Sequence, residues 1–157
     1  MKITICGSIA FYDEMLKTEK ELQLLGHEVK LPPNEIEDDN GEAIPVQEYY
    51  ARRQSATRND TWIWDRKEQA IVRHFDKVAW ADAILVLNHD KKGVPGYIGG
   101  NTLMEMGLAL YLKKPTYLLN EIPQMSHTEE ILGMKPIVIN GVLENIKKID
   151  DIRNDRS

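Results

Sequence analysis

The chain has 157 residues, a formal net charge of −5 and an apolar fraction of 42%. These values predict one packed domain, and the dispersed acidic residues exclude the basic face that binds a nucleic acid polymer. No apolar run is long enough to span a bilayer and no signal-peptide pattern opens the chain, so we expect a cytoplasmic protein without a membrane partner. Cys6 is the sole cysteine, which excludes an internal disulfide and a cysteine metal cage, and no metal is expected.

The first third of the chain alternates strand and helix patterns. Strand patterns cover residues 3–6 and 29–31, a helical pattern covers 11–25, and an acidic stretch predicted to be an exposed loop covers 34–45. Gly26 is expected to end the helix as a C-terminal cap. The acidic stretch contains Asp39-Asn40-Gly41, a turn signal.

The rest of the chain continues this alternation. Helices are predicted over 46–81, 103–112 and 145–152, and strands over 84–87, 115–119 and 136–139. The long helical segment is expected to break near Asn59-Asp60, with Asp60 capping a helix that begins at Thr61. The apolar face of that helix is expected to consist of Ile71, Val72, Phe75, Val78 and Ala79.

Alternating strands and helices with short links predict the α/β class. We expect a doubly wound, flavodoxin-like parallel sheet of about five strands with helices on both faces. The whole chain, 1–157, is expected to form a single domain with a helical insert at about 34–70. No G-x-G-x-x-G follows the first strand, which disfavours NAD or FAD, and no cofactor is expected.

Glu105 is the strongest candidate for a functional side chain. It follows Gly99-Gly100-Asn101, a flexible loop whose backbone N–H groups can approach a ligand at a helix N-terminus. The flanking residues are apolar, which is typical of a buried helix, and a buried carboxylate is costly unless it has a partner or a job. The alternative is an exposed Glu that pairs with a cation at helical spacing.

Three predicted strand ends meet at the carboxyl edge of such a sheet. They carry Cys6-Gly7-Ser8-Ile9, Asn88-His89-Asp90 and Asn120-Glu121. Gly7 and Ser8 could donate hydrogen bonds to a phosphate or sugar oxygen, or form a tight turn in which Ser8 caps a helix. His74 and Asp76 are candidate general acids, although single polar residues on an amphipathic helix are more often at the surface.

The predicted insert is rich in cations and aromatic rings. Arg52, Arg53, Arg58 and Arg66 are candidates for binding an anion, with a solvated face as the alternative. Tyr49, Tyr50, Trp62 and Trp64 are candidates for covering a base, with core or dimer packing as the alternative.

The helix that carries Glu105 resembles one found in the nucleoside 2-deoxyribosyltransferase superfamily. Residues 103–110 (LMEMGLAL) are similar to the family's apolar-Glu-apolar-Gly-x-Ala helix, whose Glu is the nucleophile. Cys6-Gly7-Ser8-Ile9 is similar to the opening turn of the members that hydrolyse nucleoside 5′-monophosphates. Residues 74–87 resemble the segment that precedes the nucleophile helix.

Some positions depart from the family pattern. A gapless match places the family's catalytic Asp on His74, with Asp76 two residues later. Ala10 stands where the hydrolases have an Arg near the phosphate. No Tyr occurs on the first strand, where the family has one.

The resemblance implies cleavage of the N-glycosidic bond of a (deoxy)nucleoside or its 5′-monophosphate, by hydrolysis or by transfer to another base. Its implied catalytic residues are Glu105 with His74 or Asp76. The implied substrate-binding residues are Gly7, Ser8, Ile9, Asn88, Gly99, Gly100, Asn101, Asn120 and Ser126.

The resemblance also implies a homo-oligomer in which residues 120–127 reach a neighbouring subunit. The alternatives are a non-catalytic nucleotide-binding sensor or accessory protein, and a flavodoxin-like electron carrier, which would need flavin.

Overall fold

The computed structural model describes residues 1–148 and 151–152. The strands are β1 (Lys2–Cys6), β2 (Glu28–Lys30), β3 (Glu35–Glu37), β4 (Ala43–Pro45), β5 (Ala83–Val86), β6 (Thr116–Leu118) and β7 (Ile137–Val138). The helices are α1 (Tyr12–Leu24), α2 (Val46–Gln54), α3 (Thr61–Trp80), α4 (Gly100–Tyr111) and α5 (Thr128–Met134), with 3-10 turns at Ile9–Phe11 and Leu143–Asn145. In these ranges no helix has both the length and the apolar character that crossing a membrane requires.

The main sheet is parallel and has the strand order β2-β1-β5-β6-β7. This confirms the predicted flavodoxin-like arrangement. The chain moves to one side of β1 to form β2 and returns to the other side to form β5. Ligands of such sheets bind outside the carboxyl ends of the strands at this point of reversal, which here lies between β1 and β5.

The residues of β1 alternate between the two faces of the sheet. Ile3 and Ile5 pack with Met15 of α1 on one face, and Cys6 packs with Met106 of α4 on the other. Period-two alternation of a strand requires this separation. It therefore directs the Cys6 side chain toward the face that α3 and α4 cover.

The segment 34–45 is not the exposed loop that its acidic composition predicts. β3 and β4 form an antiparallel hairpin in which Ile36 lies opposite Ile44. Both are buried and pack with Tyr49 of α2 in a small separate core. The exposed residues Glu35 and Glu37 flank Ile36, so charge obscured a three-residue strand pattern.

The predicted apolar face of α3 is wrong in part. Val78 is buried, but Val72 is 52% exposed and Ala79 is also exposed. Ile63 and His74 occupy the buried face with Val78. The face is therefore rotated toward His74, which becomes an interior residue.

Three further features of the structure differ from what the sequence predicts. Asp60 is at the N-cap position of α3, but its carboxylate accepts hydrogen bonds from the backbone N–H and hydroxyl of Thr57 instead of capping the helix. α5 was not predicted from the sequence. The helix predicted over 145–152 is a 3-10 turn at its start, and residues 149–150 lie outside the described residues.

Candidate active site

A pocket opens at the carboxyl end of β1, where the turn after β1, the insert, α3 and α4 meet. It is lined by Gly7, Ile9, Pro32, Pro33, Ile36, Val46, Tyr49, Tyr50, Arg53, Lys67, Ala70, His74 and Glu105. The pocket lies next to the point of strand reversal between β1 and β5, so the fold places the crevice where parallel α/β sheets bind ligands.

Three side chains that can bind protons meet beside this pocket. Cys6 is fully buried, and His74 and Glu105 are 4% and 9% exposed. The Nε2 atom of His74 lies 3.7 Å from Glu105 Oε2 and 3.5 Å from Cys6 Sγ. Strand β1, helix α3 and helix α4 each supply one member, so the cluster exists only in the folded chain.

Burial changes the proton affinity of each member of this cluster. It raises the pKa of Glu105 to about 7, against hydrogen bonding from Cys6 and the positive charge of Lys67. It lowers the pKa of His74 to about 4, with the charge of Lys77 acting in the same direction and a backbone contact with Ile5 opposing both. Burial, followed by the charge of Glu105, raises the pKa of Cys6 well above its usual value.

Between about pH 4 and about pH 7 these shifts leave one proton on the His74–Glu105 pair, carried by Glu105 while His74 is neutral. Transfer of that proton to His74 gives an imidazolium and a carboxylate. An acid and a nucleophile are then present together in one water-poor site.

Cations collect at the mouth of the pocket. Lys67 donates a hydrogen bond to Asn101 Oδ1 over 2.9 Å, and burial, followed by the charge of Arg53, lowers its pKa to about 8. Lys91 donates to Ser8 Oγ over 2.7 Å, and burial, with the charges of Lys92 and Arg53, lowers its pKa. Arg53 and Lys67 both line the pocket, where their charges would stabilise an anion, and Lys91 lies close enough to Arg53 to be affected by its charge.

Of the four candidate arginines, Arg53 is the one that lines the pocket. Its guanidinium lies 3.9 Å from the centre of the Tyr50 ring, which holds it in place. Arg52 and Arg66 pair with Glu48 and Glu37 outside the pocket. Arg58 is exposed.

Ser8 can both cap a helical turn and donate a hydrogen bond to a ligand, the two roles that the sequence leaves open. Its hydroxyl oxygen accepts a hydrogen bond from the backbone N–H of Ala10, so it caps the 3-10 turn that follows. The same oxygen also accepts from Lys91, which leaves the hydroxyl proton available to a ligand.

Four other candidate residues, Asp76, Asn88, Asn120 and Ser126, do not line the pocket. Asp76 is exposed, whereas His74 is inside the pocket. Asn88 and Asn120 bind each other: the Asn88 amide accepts from the Asn120 N–H over 2.9 Å and donates to the Asn120 carbonyl over 3.0 Å. They join the ends of β5 and β6 and do not line the pocket. Ser126 is exposed before α5 and also lies outside the pocket.

The glycine loop before α4 helps to position the residues around Glu105. Gly99 is the N-cap residue of α4 and Gly100 is its first residue. Asn101 holds Lys67, which brings α3 and α4 together beside Glu105. The loop therefore orders the residues around the carboxylate.

Sequence reasoning missed Lys67, Lys91 and the role of Cys6. Lys67 lies seven residues before His74, a spacing that places both on one helix face and could have revealed it. Lys91 follows a strand in an irregular loop, where no periodic signal exists. Cys6 is buried, and its contact with His74 of α3 joins residues too far apart in the chain to leave a local signal.

No family model matches this chain, and no curated protein is similar enough to match it. Among solved structures, the chain is similar to a 2-deoxyribosyltransferase from Bacillus psychrosaccharolyticus, with a TM-score of 0.47 and 19% identity over 76% of this chain and 72% of that one. It is also similar to a conserved protein from Enterococcus faecalis V583, with a TM-score of 0.44 and 19% identity over 92% of this chain and 77% of the other.

Proposed function

We propose that this protein cleaves the N-glycosidic bond of a (deoxy)nucleoside 5′-monophosphate. The observation that carries the proposal is the buried His74–Glu105 pair at the inner end of a pocket whose mouth is cationic. The resemblance of the Glu105 helix to the nucleophile helix of nucleoside 2-deoxyribosyltransferases supports the same reaction.

The pair provides both functions that bond cleavage needs. The bond between C1′ and the base nitrogen breaks, its electron pair leaves with the base, and C1′ becomes cationic. Glu105 stabilises that cation or bonds to it, while His74 gives its proton to the departing base.

The reaction is completed by an acceptor at C1′. Water gives a free sugar phosphate and hydrolysis, and a second base gives transfer. In either case the acceptor adds to C1′, which breaks any bond between C1′ and Glu105, and it loses a proton, which restores the proton that His74 gave to the leaving base. The pair thus returns to its starting state.

The cationic mouth favours the phosphorylated substrate. Arg53 lines the pocket, and its charge acts on Lys91, which donates to the Ser8 hydroxyl, so we expect a 5′-phosphate to accept hydrogen bonds from this group of residues. In the hydrolases that this chain resembles, an Arg follows the turn after the first strand, and Ala10 occupies that position here. Lys91 lies next to this turn, where it donates to Ser8. The loop after β5 thus supplies a cation that the turn itself lacks.

Substitution of Arg53 tests this assignment. The substrates are nucleosides and their 5′-monophosphates, and free base is measured by chromatography. We expect wild-type protein to release base from a monophosphate, and Arg53→Gln to lower kcat/KM for it by at least about tenfold, because a charged hydrogen bond is lost. Arg52→Gln is the matched control, since Arg52 is the preceding residue and pairs with Glu48 outside the pocket.

Each other outcome has a defined meaning. Equal cleavage of nucleosides and monophosphates, unchanged in Arg53→Gln, contradicts the phosphate assignment. Tight nucleotide binding without release of free base contradicts cleavage and supports the alternative of a non-catalytic nucleotide-binding sensor. A yellow, flavin-containing preparation would support the electron carrier.

A further inference from the structure

The Cys6–His74–Glu105 cluster has the composition of a transition-metal site. Its donor atoms, one from each residue, all lie within 4.8 Å of one another. We infer that these three side chains bind Zn²⁺, and that bound zinc blocks the site. The second part rests on the proposed function, whereas zinc binding itself does not.

The spacing of the donor atoms matches tetrahedral zinc coordination. With Zn–S near 2.3 Å and Zn–N and Zn–O near 2.1 Å, tetrahedral ligand atoms lie about 3.4 to 3.6 Å apart. Sγ of Cys6 and Nε2 of His74 are 3.5 Å apart, and Nε2 is 3.7 Å from Oε2 of Glu105. The third pair, Cys6 Sγ and a Glu105 oxygen, lies within 4.8 Å, and its approach to a ligand–ligand distance would complete the geometry.

The donor types select the metal. One sulfur, one imidazole nitrogen and one carboxylate oxygen suit Zn²⁺, whereas Mg²⁺ and Ca²⁺ take oxygen ligands. Three protein ligands leave a fourth position for water. His74 and Glu105 both line the pocket, so that position faces open space and the ion has an entry path.

Charge balance also favours a divalent ion here. A Cys6 thiolate and a Glu105 carboxylate carry two negative charges, which Zn²⁺ neutralises with neutral His74 as the third ligand. Binding expels the thiol proton and any proton on Glu105 to solvent. The result is a neutral buried cluster in place of polar groups that burial penalises.

Zinc in this position would occupy the groups that the proposed reaction uses. The Glu105 oxygen that faces C1′ and the His74 nitrogen that carries the proton would both be metal ligands. Neither could then act on the substrate. Zinc is therefore expected to inhibit and chelators to restore activity.

Cobalt substitution tests the site without reference to activity. The metal-free full-length protein is titrated with Co²⁺, and the absorbance is recorded. We expect one equivalent to produce tetrahedral visible bands and a near-ultraviolet thiolate-to-cobalt band. Because Cys6 is the sole cysteine, that band reports Cys6 alone. Zn²⁺ should displace cobalt, with a zinc Kd below about 1 µM in competition with a chromophoric chelator.

Variants locate the ligands. Cys6→Ser should abolish the thiolate band and weaken zinc binding by at least about tenfold, and His74→Gln should weaken it similarly. His27→Gln is the control, because His27 contacts the N-terminus far from the pocket. Absence of the thiolate band in the wild-type protein overturns the inference whether or not the variants fold. So does zinc binding that survives both ligand substitutions.

Base release separates this inference from the proposed function. If zinc binds but the metal-free protein releases no base from any nucleotide, the metal site stands and the proposed function fails. If the metal-free protein releases base and shows no thiolate–cobalt band, the proposed function stands and the metal site fails. Base release unaffected by stoichiometric zinc overturns the blocking role.

Discussion

Burial makes the carboxylate form of Glu105 costly, because α4 places this side chain among apolar neighbours with His74 and Cys6 as its polar contacts. The burial that raises the pKa of Glu105 to about 7 lowers that of His74 to about 4. Between these two values the pair holds one proton, which resides on Glu105 while His74 is neutral, and its transfer to His74 creates the acid and the carboxylate together. A pair whose proton affinities are pushed in opposite directions is typical of acid–nucleophile sites.

This pair predicts a bell-shaped pH dependence of kcat/KM. Activity should rise as the pair loses its second proton near pH 4 and fall as it loses its last proton near pH 7. An unperturbed His would titrate near pH 6.5, the value expected from the sequence. The measurement is base release across pH 3.5 to 9.

His74→Gln should lose the alkaline limb, because the acid is gone and the remaining activity needs ionised Glu105. Asp76→Asn is the control, since Asp76 is exposed two residues away and should leave both limbs in place. An alkaline limb that persists in His74→Gln would show that another group gives the proton.

At the scale of elements, the ends of β5 and β6 are joined by side-chain and backbone contacts. Asn88 Nδ2 donates to the carbonyls of Asn120 and Glu121, and Gly96 packs against the same Glu121 carbonyl with φ of +68°. A Cβ on Gly96 would lie 2.7 Å from that carbonyl oxygen. This junction supports the loop that leads into α4 and Glu105.

Gly96→Ala is therefore predicted to destabilise the fold by more than Gly93→Ala. Both glycines have positive φ, so both substitutions carry a backbone cost of about 1 kcal/mol. At Gly93 a Cβ meets nothing within 4 Å, whereas at Gly96 the clash should add at least about 1 kcal/mol. Urea unfolding of both variants measures the difference. Equal losses would contradict the close approach.

Helices and strands could be predicted from the sequence where a long run of apolar residues dominated the pattern. The apolar run that forms β5 is correctly identified because it is buried along its whole length. The helix around Glu105 is correctly identified because its residues are mostly apolar, although Leu110 and Tyr111 are exposed. The β3–β4 hairpin was missed because each strand has three residues and one buried side chain. Contacts between distant segments, such as Lys91 with Ser8, have no local signal at all.

At the scale of the whole molecule, the aromatic insert no longer argues for an oligomer. Tyr49 is buried and its hydroxyl donates to the Ile63 carbonyl, so the insert satisfies much of its own apolar surface. Exposed apolar side chains instead lie on α4, where Leu110 is 52% and Tyr111 is 84% exposed. Such residues are typical of subunit contacts.

We predict a homodimer or larger oligomer that uses this end of α4. Sedimentation at micromolar concentration should show it, and Tyr111→Lys should shift the equilibrium toward monomer. Leu24→Lys is the control, because Leu24 is 88% exposed on α1, on the other face of the sheet. A wild-type monomer that turns over substrate would contradict the prediction.

Free-base release by wild-type protein and Glu105→Gln at pH 6 tests the central claim most directly. Glutamine keeps the size of the side chain but cannot become a carboxylate, so it cannot bond to or neutralise the cationic C1′. The account predicts base release from a nucleoside 5′-monophosphate by the wild type and a loss of at least about a hundredfold in the folded variant. Wild-type rates in Glu105→Gln would contradict it.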